Sequence, residues 1–371
     1  MQIPAVILVG GEGTRLRPLT ARTPKPMLPL VDRPLLAFTF EHLRRHGVVR
    51  ATLSCGYLPT QIREHFGDDA DGLALEYCAE DEPLGTGGAI GFAARGIIGS
   101  FFALNGDSLR GADLGRLVEF HRDRGAKATI LLTPVADPTR YGLVRLRPDG
   151  RVASFLEKPR PEEIDTDLIN AGVYVLEPEV LEHVPPARAV SIEREVFPRL
   201  VEEESLYGLA LPGYWLDIGT PESYLAAHRD ILERNFPTEV GERLGRDYTY
   251  VDPSAEVSAD AHLVPPVYVG AGAVIEAGVR VGSLAVIGSG AHVGAGSVVE
   301  HAVVQARARV GRDCSITRSF VGEDAELGDG TIVRGLSVIG PGARVGAGNR
   351  IDGGLRIAAD AVVPPEALSF P

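Results

Sequence analysis

The stretch VGAGAVIEAGVRVGSLAVIGSGAHV, residues 269–293, decides how the second part of this chain folds. An aliphatic residue recurs at every sixth position: Val269, Ile275, Val281, Ile287 and Val293. The spacing runs back through Leu263 and Val257 to Val251, and forward to Val299, without a miss. A one-residue slip leads to Val304, Val310 and Ile316. A second slip leads to Val321, Leu327, Val333, Ile339, Val345, Ile351, Ile357 and Val363. Two positions before many of these stands a small residue, as at Ala273, Ala285, Ala291 and Ala343, and glycine often follows. A period of six fits neither the 3.6-residue turn of a helix nor a hairpin spacing. A coil of three short parallel strands with tight corners keeps such a face inside. Each hexapeptide then forms one side of a triangle, with the aliphatic residue filling the interior. Twenty such positions predict a prism of six to seven coils, roughly 30 Å long at a strand spacing of about 4.7 Å.

Working outward, the rest of the chain has a different composition. Of the 371 residues, the first 250 hold 20 of the 23 aromatics, while residues 251–371 hold three aromatics and 19 glycines. The hexapeptide pattern resembles the left-handed parallel β-helix of the hexapeptide-repeat families, and the handedness follows from that resemblance. Net charge is −13, which argues against sequence-independent nucleic-acid binding, since that requires a basic face. No apolar run approaches the roughly 18 residues of a membrane span. The N-terminus MQIPAVILVGG lacks the basic lead and cleavage site of a secretory signal. Cys55, Cys78 and Cys314 are too few and too scattered for a disulfide framework or a zinc site. These features predict a cytoplasmic protein that binds neither membrane nor nucleic acid.

Residues 1–236 alternate strand and helix patterns. IPAVILV (3–9) is a short buried-strand run ending in Gly10-Gly11. Residues 34–46 read as a helix opened by Pro34, followed by the strand ATLSC. SFFALNGD is a further strand, and DLGRLVEFHRDRG a helix stopped by Gly125. VRLRPDGRVASFLEKP reads as a hairpin turning at Asp149-Gly150, GYWLDIG as a strand, and PESYLAAHRDILERN as a helix. Such alternation predicts an α/β sheet with a ligand site at the carboxyl ends of its strands. Residues 237–250 read as a linker before the β-helix of 251–371.

The most informative segment of the first part is GGEGTRLRPLT (10–20), continued by PKPMLP (24–29). Glycines directly after a first strand let backbone amides approach a phosphate. Neither standard phosphate loop fits: no Gly-Lys-Ser/Thr follows, and Leu16 stands where the dinucleotide fingerprint needs a third glycine. A plain turn would account for the glycines but not for the flanking cations Arg15 and Lys25. The chain has only three lysines among 37 basic residues, Lys25, Lys127 and Lys158, so a lysine here implies a compact ammonium in place of a planar guanidinium.

This segment resembles the signature of the sugar-1-phosphate nucleotidylyltransferases, or NDP-sugar pyrophosphorylases. Further matches follow in family order: EPLGTGG (82–88), NGD (105–107), RYG (140–142), FLEKP (155–159), NAGVY (170–174) and WLDIGT (215–220). The resemblance implies a Rossmann-like nucleotidyltransferase domain with a mixed sheet over residues 1–236, followed by the β-helix. It implies that a sugar-1-phosphate oxygen attacks the α-phosphorus of a nucleoside triphosphate in line and expels pyrophosphate. On the same basis Leu8, Gly10, Gly11, Gly13, Thr14, Glu80, Gly85, Thr86 and Asp107 would bind the nucleotide. Arg15 and Lys25 would neutralise its β- and γ-phosphates. Lys158 would position the sugar phosphate, and Tyr141, Gly142, Glu157, Asn170 and Gly172 would hold the sugar. Asp107 and Asp217, each at a strand end, would bind Mg²⁺, a hard cation served by carboxylates. Each would otherwise be an ordinary turn or cap residue.

The segments around Glu80 and SIEREVFP (191–198) are similar to the mannose-1-phosphate guanylyltransferases, which implies GTP and mannose-1-phosphate. Related long enzymes use glucose-1-phosphate with UTP, dTTP or ATP, so other pairs stay open. Two different classes compete. Hexapeptide prisms also carry acyltransferases, for which His262, His292 and His301 are available, although no long inserted loop shapes an acyl site. A catalytically silent regulatory subunit would use the same fold, but Arg15, Lys25, Asp107 and Asp217 are all intact. Open coil ends need a cap or a partner, so the prism is expected to serve assembly of a homo-oligomer, not chemistry.

Overall fold

The computed structural model describes residues 3–56, 59–185 and 188–369. Two compact units divide the chain, and neither is a continuous half. One comprises Met1–Gly11 with Leu36–Trp215, the other Glu12–Leu35 with Leu216–Pro371.

The first unit is built on a ten-stranded mixed sheet. The buried strand Ala5–Leu8 lies at its centre, parallel to Arg50–Cys55 on one side and to Phe101–Asn105 on the other. Leu73–Ala79 extends the parallel part beyond Arg50–Cys55. On the other flank Leu168–Leu176 runs antiparallel to Phe101–Asn105, which makes the sheet mixed. Continuous apolar runs suit these strands because both faces are covered; Ala5, Val6, Ile7, Phe101, Ala103 and Leu104 are all fully buried or nearly so. The hairpin joins Gly142–Leu146 to Val152–Glu157, pairing Gly142 with Glu157. The helix Leu114–Arg124 is capped by the Asp113 carboxylate, which accepts from Gly115 and Arg116 N–H, and stops at left-handed Gly125.

Two local details depart from the sequence reading. The helix expected from Pro34 starts at Leu35, because Pro34 closes a two-residue ladder with Pro29. Residues 237–250, read as a linker, contain a short helix, Glu239–Arg243, capped by the Thr238 hydroxyl on Gly241 N–H.

The second unit holds the prism. Three parallel sheets of seven, seven and six short strands carry the hexad positions in register. Val251, Val269, Ile287, Val304, Val321, Ile339 and Ile357 stack on one face. Val257 to Val363 stack on the second and Leu263 to Ile351 on the third. Their side chains form one continuous core, with alanines such as Ala273, Ala291 and Ala325 fully buried beside them. The corners have a period of their own. A residue with positive φ recurs three positions after most interior aliphatics, as Gly272, Gly278, Leu284, Gly290, Gly296, Arg307, Asp313, Asp324 and Gly330. At the two slips the corner is one residue shorter, and His301 and Arg318 take this conformation.

One face of the prism is also apolar on its outside. The outward residues Tyr268, Val286, Val303, Phe320 and Val338 are all buried, and the row ends at Arg356. Tyr224 of the helix Pro221–Leu232 stacks on Phe320, with ring centroids 5.1 Å apart and 13° between planes. The few aromatics near the repeat therefore serve its outer surface.

Candidate functional site

In the first unit, register places Leu8 beside both Ser54 and Asn105, so three parallel strands end side by side. A cleft of about 340 Å³ opens there. Leu8, Gly10 and Gly11 line it from the central strand, Ser54 from one neighbour, and Asn105 with Asp107 from the other. Glu80, Pro83, Gly85, Thr86 and Ala89 close it from the segment that begins the helix Gly85–Ala93. Gly10 lies close to Gly56: a Cβ would stand 3.3 Å from the Gly56 nitrogen, so a side chain there would require the neighbouring backbone to give slightly. Gly85 combines φ of +69° with a Cβ position only 2.6 Å from the Val190 carbonyl, so no other residue fits there.

Much of the lining is held by its own hydrogen bonds. The Glu80 carboxylate accepts from the Ser54 hydroxyl at 2.9 Å and from Leu84 N–H at 3.0 Å, fixing the 80–84 segment to the strand Arg50–Cys55. The Thr86 hydroxyl donates to Glu193 at 2.7 Å and accepts from Ile192 N–H at 3.0 Å. Behind Asp107, fully buried Arg110 donates to the Asn105 carbonyl and the Ser108 hydroxyl. Burial lowers the Arg110 pKa to about 10, and the Asp107 charge opposes that shift.

The residues expected to hold a sugar lie in the same unit. Gly172 has φ of +70°, and a Cβ there would stand 2.6 Å from the Asn105 side-chain nitrogen. Asn170 accepts from Gly172 N–H at 2.9 Å and donates to the Tyr174 hydroxyl at 2.8 Å, so its amide stabilises this turn. Gly142 is fixed by packing, because a Cβ would lie 2.5 Å from the Phe155 ring and 3.0 Å from a Glu157 oxygen. Tyr141 meets Trp215 edge to face at 5.2 Å, and the Trp215 indole donates to the Ala171 carbonyl at 3.0 Å. Glu157 is half-buried; burial and the Glu193 carboxylate push its pKa up, with Lys158 and Arg194 opposing. Lys158 is exposed, with φ of +54°, and its N–H donates to the Tyr141 carbonyl at 3.0 Å.

In the second unit the cationic loop is a packed element. Leu16, Leu19 and Leu28 are buried, which explains the leucines among its prolines. Gly13 is left-handed (φ +62°), and its carbonyl accepts from the Thr20 hydroxyl at 2.9 Å. A Cβ at Gly13 would press on both Lys25 and Thr20 at 3.0 Å. Lys25 is 5% exposed, with its ammonium 3.8 Å from the Asp217 carboxylate. At Gly219 a Cβ would lie 2.9 Å from the Arg15 guanidinium and 3.0 Å from Asp217. Gly13, Arg15, Lys25, Asp217 and Gly219 thus gather at one place, two cations about one carboxylate. Thr14 is exposed at the start of the turn Thr14–Leu16.

Such an arrangement suits polyphosphate, and comparison with known proteins names the family. The nucleotidyl transferase family matches residues 4–234. This chain is a member of that family. A second match, to the GMPPB C-terminal domain, covers residues 246–340. The chain is 42% identical over 263 residues to a mannose-1-phosphate guanylyltransferase of Mycobacterium tuberculosis, covering 68% of this chain and 73% of that one. It is 34% identical over 352 residues to a probable mannose-1-phosphate guanylyltransferase 2 of Arabidopsis thaliana, covering 91% and 90%. Among solved structures, HddC from Yersinia pseudotuberculosis complexed with GMP-PN is similar with a TM-score of 0.53 and 32% identity, covering 61% of this chain and 98% of that one.

In this nucleotidyl transferase, seven of the nine residues expected at the nucleotide, all but Gly13 and Thr14, line one cleft. Three residues of note escaped the sequence reading. Ser54 is placed by strand register alone, and its alignment with Leu8 was the available signal. Glu193 stands inside a recognised segment, but its contacts to Thr86 and its charge on Glu157 required coordinates. Arg356 is an outward residue of the repeat, where the hexad pattern has no information. Among the described residues, no three His, Cys, Asp or Glu side chains gather as a metal site, and no helix is long and apolar enough to cross a membrane.

Proposed function

We propose that the chain transfers GMP from GTP to mannose-1-phosphate, forming GDP-mannose and pyrophosphate. The observation that carries this reading is the cleft at the ends of three parallel strands, lined by Gly10, Gly11, Glu80, Gly85, Thr86 and Asp107. The names of the relatives, mannose-1-phosphate guanylyltransferases, favour guanine and mannose over other pairs.

A phosphate oxygen of mannose-1-phosphate forms a bond to the α-phosphorus, and the bond to the β-phosphate bridging oxygen breaks. Pyrophosphate leaves with that electron pair. The nucleophile is already anionic, so no general base is needed, and the protein's work is alignment and charge neutralisation. In this reading the amides of Gly10, Gly11 and Gly13 approach the phosphates, while Arg15 and Lys25 balance the charge of the departing pyrophosphate. Glu80 keeps its loop in place and still accepts from a base edge, because each carboxylate oxygen takes more than one hydrogen bond. Lys158 positions the sugar phosphate, and Glu157 with Asn170 faces the hydroxyls. Asp107 and Asp217 offer the hard oxygen donors that Mg²⁺ prefers, so the residues fit that ion. When bound, Mg²⁺ would supply further neutralisation of phosphate charge. The prism of residues 251–371 would support a homo-oligomer, with residues 1–236 carrying the substrate residues.

The test is pyrophosphate release from a matrix of GTP, ATP, UTP and dTTP against mannose- and glucose-1-phosphate, with acetyl-CoA turnover as a counter-assay. Preference for GTP with mannose-1-phosphate supports the reading, and no release from any pair sinks it.

A further inference from the structure

The segment Glu12–Leu35 carries Arg15 and Lys25, yet it belongs to the same compact unit as the prism. Its turn Thr14–Leu16 uses Gly13 and Thr14 as acceptors for Leu16 and Arg17 N–H. The carbonyls that follow would be the unsatisfied acceptors at the end of a helical turn. Arg356, the last outward residue of the apolar face, donates from one terminal nitrogen to the Arg15 carbonyl at 2.8 Å and to the Arg17 carbonyl at 3.0 Å. A coil residue therefore caps the turn that aims Arg15.

Neighbouring contacts repeat the arrangement. Arg22 pairs with Asp360 of the next corner, and Gly342 leaves room for its guanidinium, since a Cβ there would stand 3.1 Å away. Further along the segment, the Tyr224 hydroxyl donates to the Pro29 carbonyl, and the His228 ring accepts from Val31 N–H at 3.2 Å. The loop is thus held from outside at several points. Arg356 bonds the backbone of Arg15 itself, the residue whose guanidinium lies beside Gly219.

We propose that Arg356 is a positioning residue for nucleotidyl transfer, acting from the prism through the 15–17 backbone to set the Arg15 guanidinium. The prism then contributes to chemistry as well as to assembly. This rests on the proposed role of Arg15 toward the β- and γ-phosphates.

The test compares Arg356→Met, which keeps the aliphatic stem, Arg356→Lys, which keeps one donor head, and Arg344→Ala, which removes an exposed arginine from another face of the same prism. Steady-state constants are measured for both substrates, with melting temperature and size-exclusion elution alongside. Arg356→Met should lower kcat/KM for the triphosphate about tenfold or more. Its KM for the sugar phosphate, melting temperature and elution should match those of Arg344→Ala, and Arg356→Lys should recover much of the loss. Triphosphate constants equal to those of Arg344→Ala overturn the proposal. So does an equal loss toward both substrates that tracks a lower melting temperature, because that is a structural effect. An inactive wild type sinks the functional reading along with it. An active wild type with an unaffected Arg356→Met sinks the positioning role alone.

Discussion

Asp107 and Asp217 show how far one residue's meaning depends on its neighbours. Asp217 stands among Lys25, Arg15 and Gly219, while Asp107 lines the cleft with buried Arg110 behind it. If they share one Mg²⁺, each substitution disables the same element and the losses do not add. Asp107→Asn and Asp217→Asn should each reduce turnover by roughly 100-fold, the scale of losing a preorganised electrostatic group. The double variant should be little worse, and each single variant should need more Mg²⁺ for half-maximal rate. Multiplying losses with an unchanged Mg²⁺ requirement would remove the shared site. Glu157 gives a prediction of a different kind. Its raised pKa means that, above the ordinary carboxyl value of about 4.3, the native state holds more protons than the unfolded one. Stability from this group therefore falls as pH rises through its folded-state pKa. Glu157→Gln should lack that fall, so it should gain in melting temperature relative to the parent as pH rises from about 4 to 7. It should also weaken sugar-phosphate use. A constant difference across that range would contradict the assignment.

At the scale of elements, the corners of the prism separate two uses of glycine. Gly328 faces its neighbouring coil so closely that a Cβ would stand 2.4 Å from the Ala347 nitrogen. Gly330, two residues on, has φ of +68° and open space where its Cβ would point. Gly328→Ala should cost about 1–3 kcal/mol by overpacking. Gly330→Asn should cost only a few tenths, because asparagine tolerates left-handed backbone. Denaturant midpoints measure both, and equal losses would mean that coil spacing gives way freely. The hexads made this element legible: interior aliphatics, small residues beside them and two slips all correspond to observed rungs. The outer apolar row was legible in principle, since Val286, Val303, Phe320 and Val338 each precede an interior residue. It was missed because one face in three carries it, so a six-residue window averages it away. The glycine loop, in turn, was legible as chemistry but not as architecture. Arg22 and the Arg15 carbonyl find partners 338 and 341 residues away, and no local pattern encodes that.

At the scale of the whole molecule, a chain ending at Asn235 retains Arg15, Lys25, Asp107 and Asp217. It loses Arg243 and Glu239, the partners of Asp32 and Arg33, together with Arg356 and Asp360. It also loses Phe320, leaving Tyr224 without its stacking partner. Light scattering after size exclusion should show this shortened chain aggregating or losing the homo-oligomer proposed for the full chain, and pyrophosphate release should fall well below that of the intact protein. A shortened chain with full activity and the parent's elution would mean that the long-range contacts are dispensable.

Those contacts bear on how the protein is made. Arg15 and Arg356 are separated by 341 residues, a distance a ribosome covers in about 20–70 s at ordinary elongation rates. During that interval the phosphate-handling loop has left the exit tunnel with its distant capping side chain still untranslated. A message broken before the codon for Arg356 would yield a polypeptide that contains every charged group assigned to the reaction but lacks the Arg356 and Asp360 clasps on its loop. In the proposed role of Arg356, full setting of the Arg15 guanidinium thereby waits until Arg356 has been translated, and a chain released earlier never reaches it.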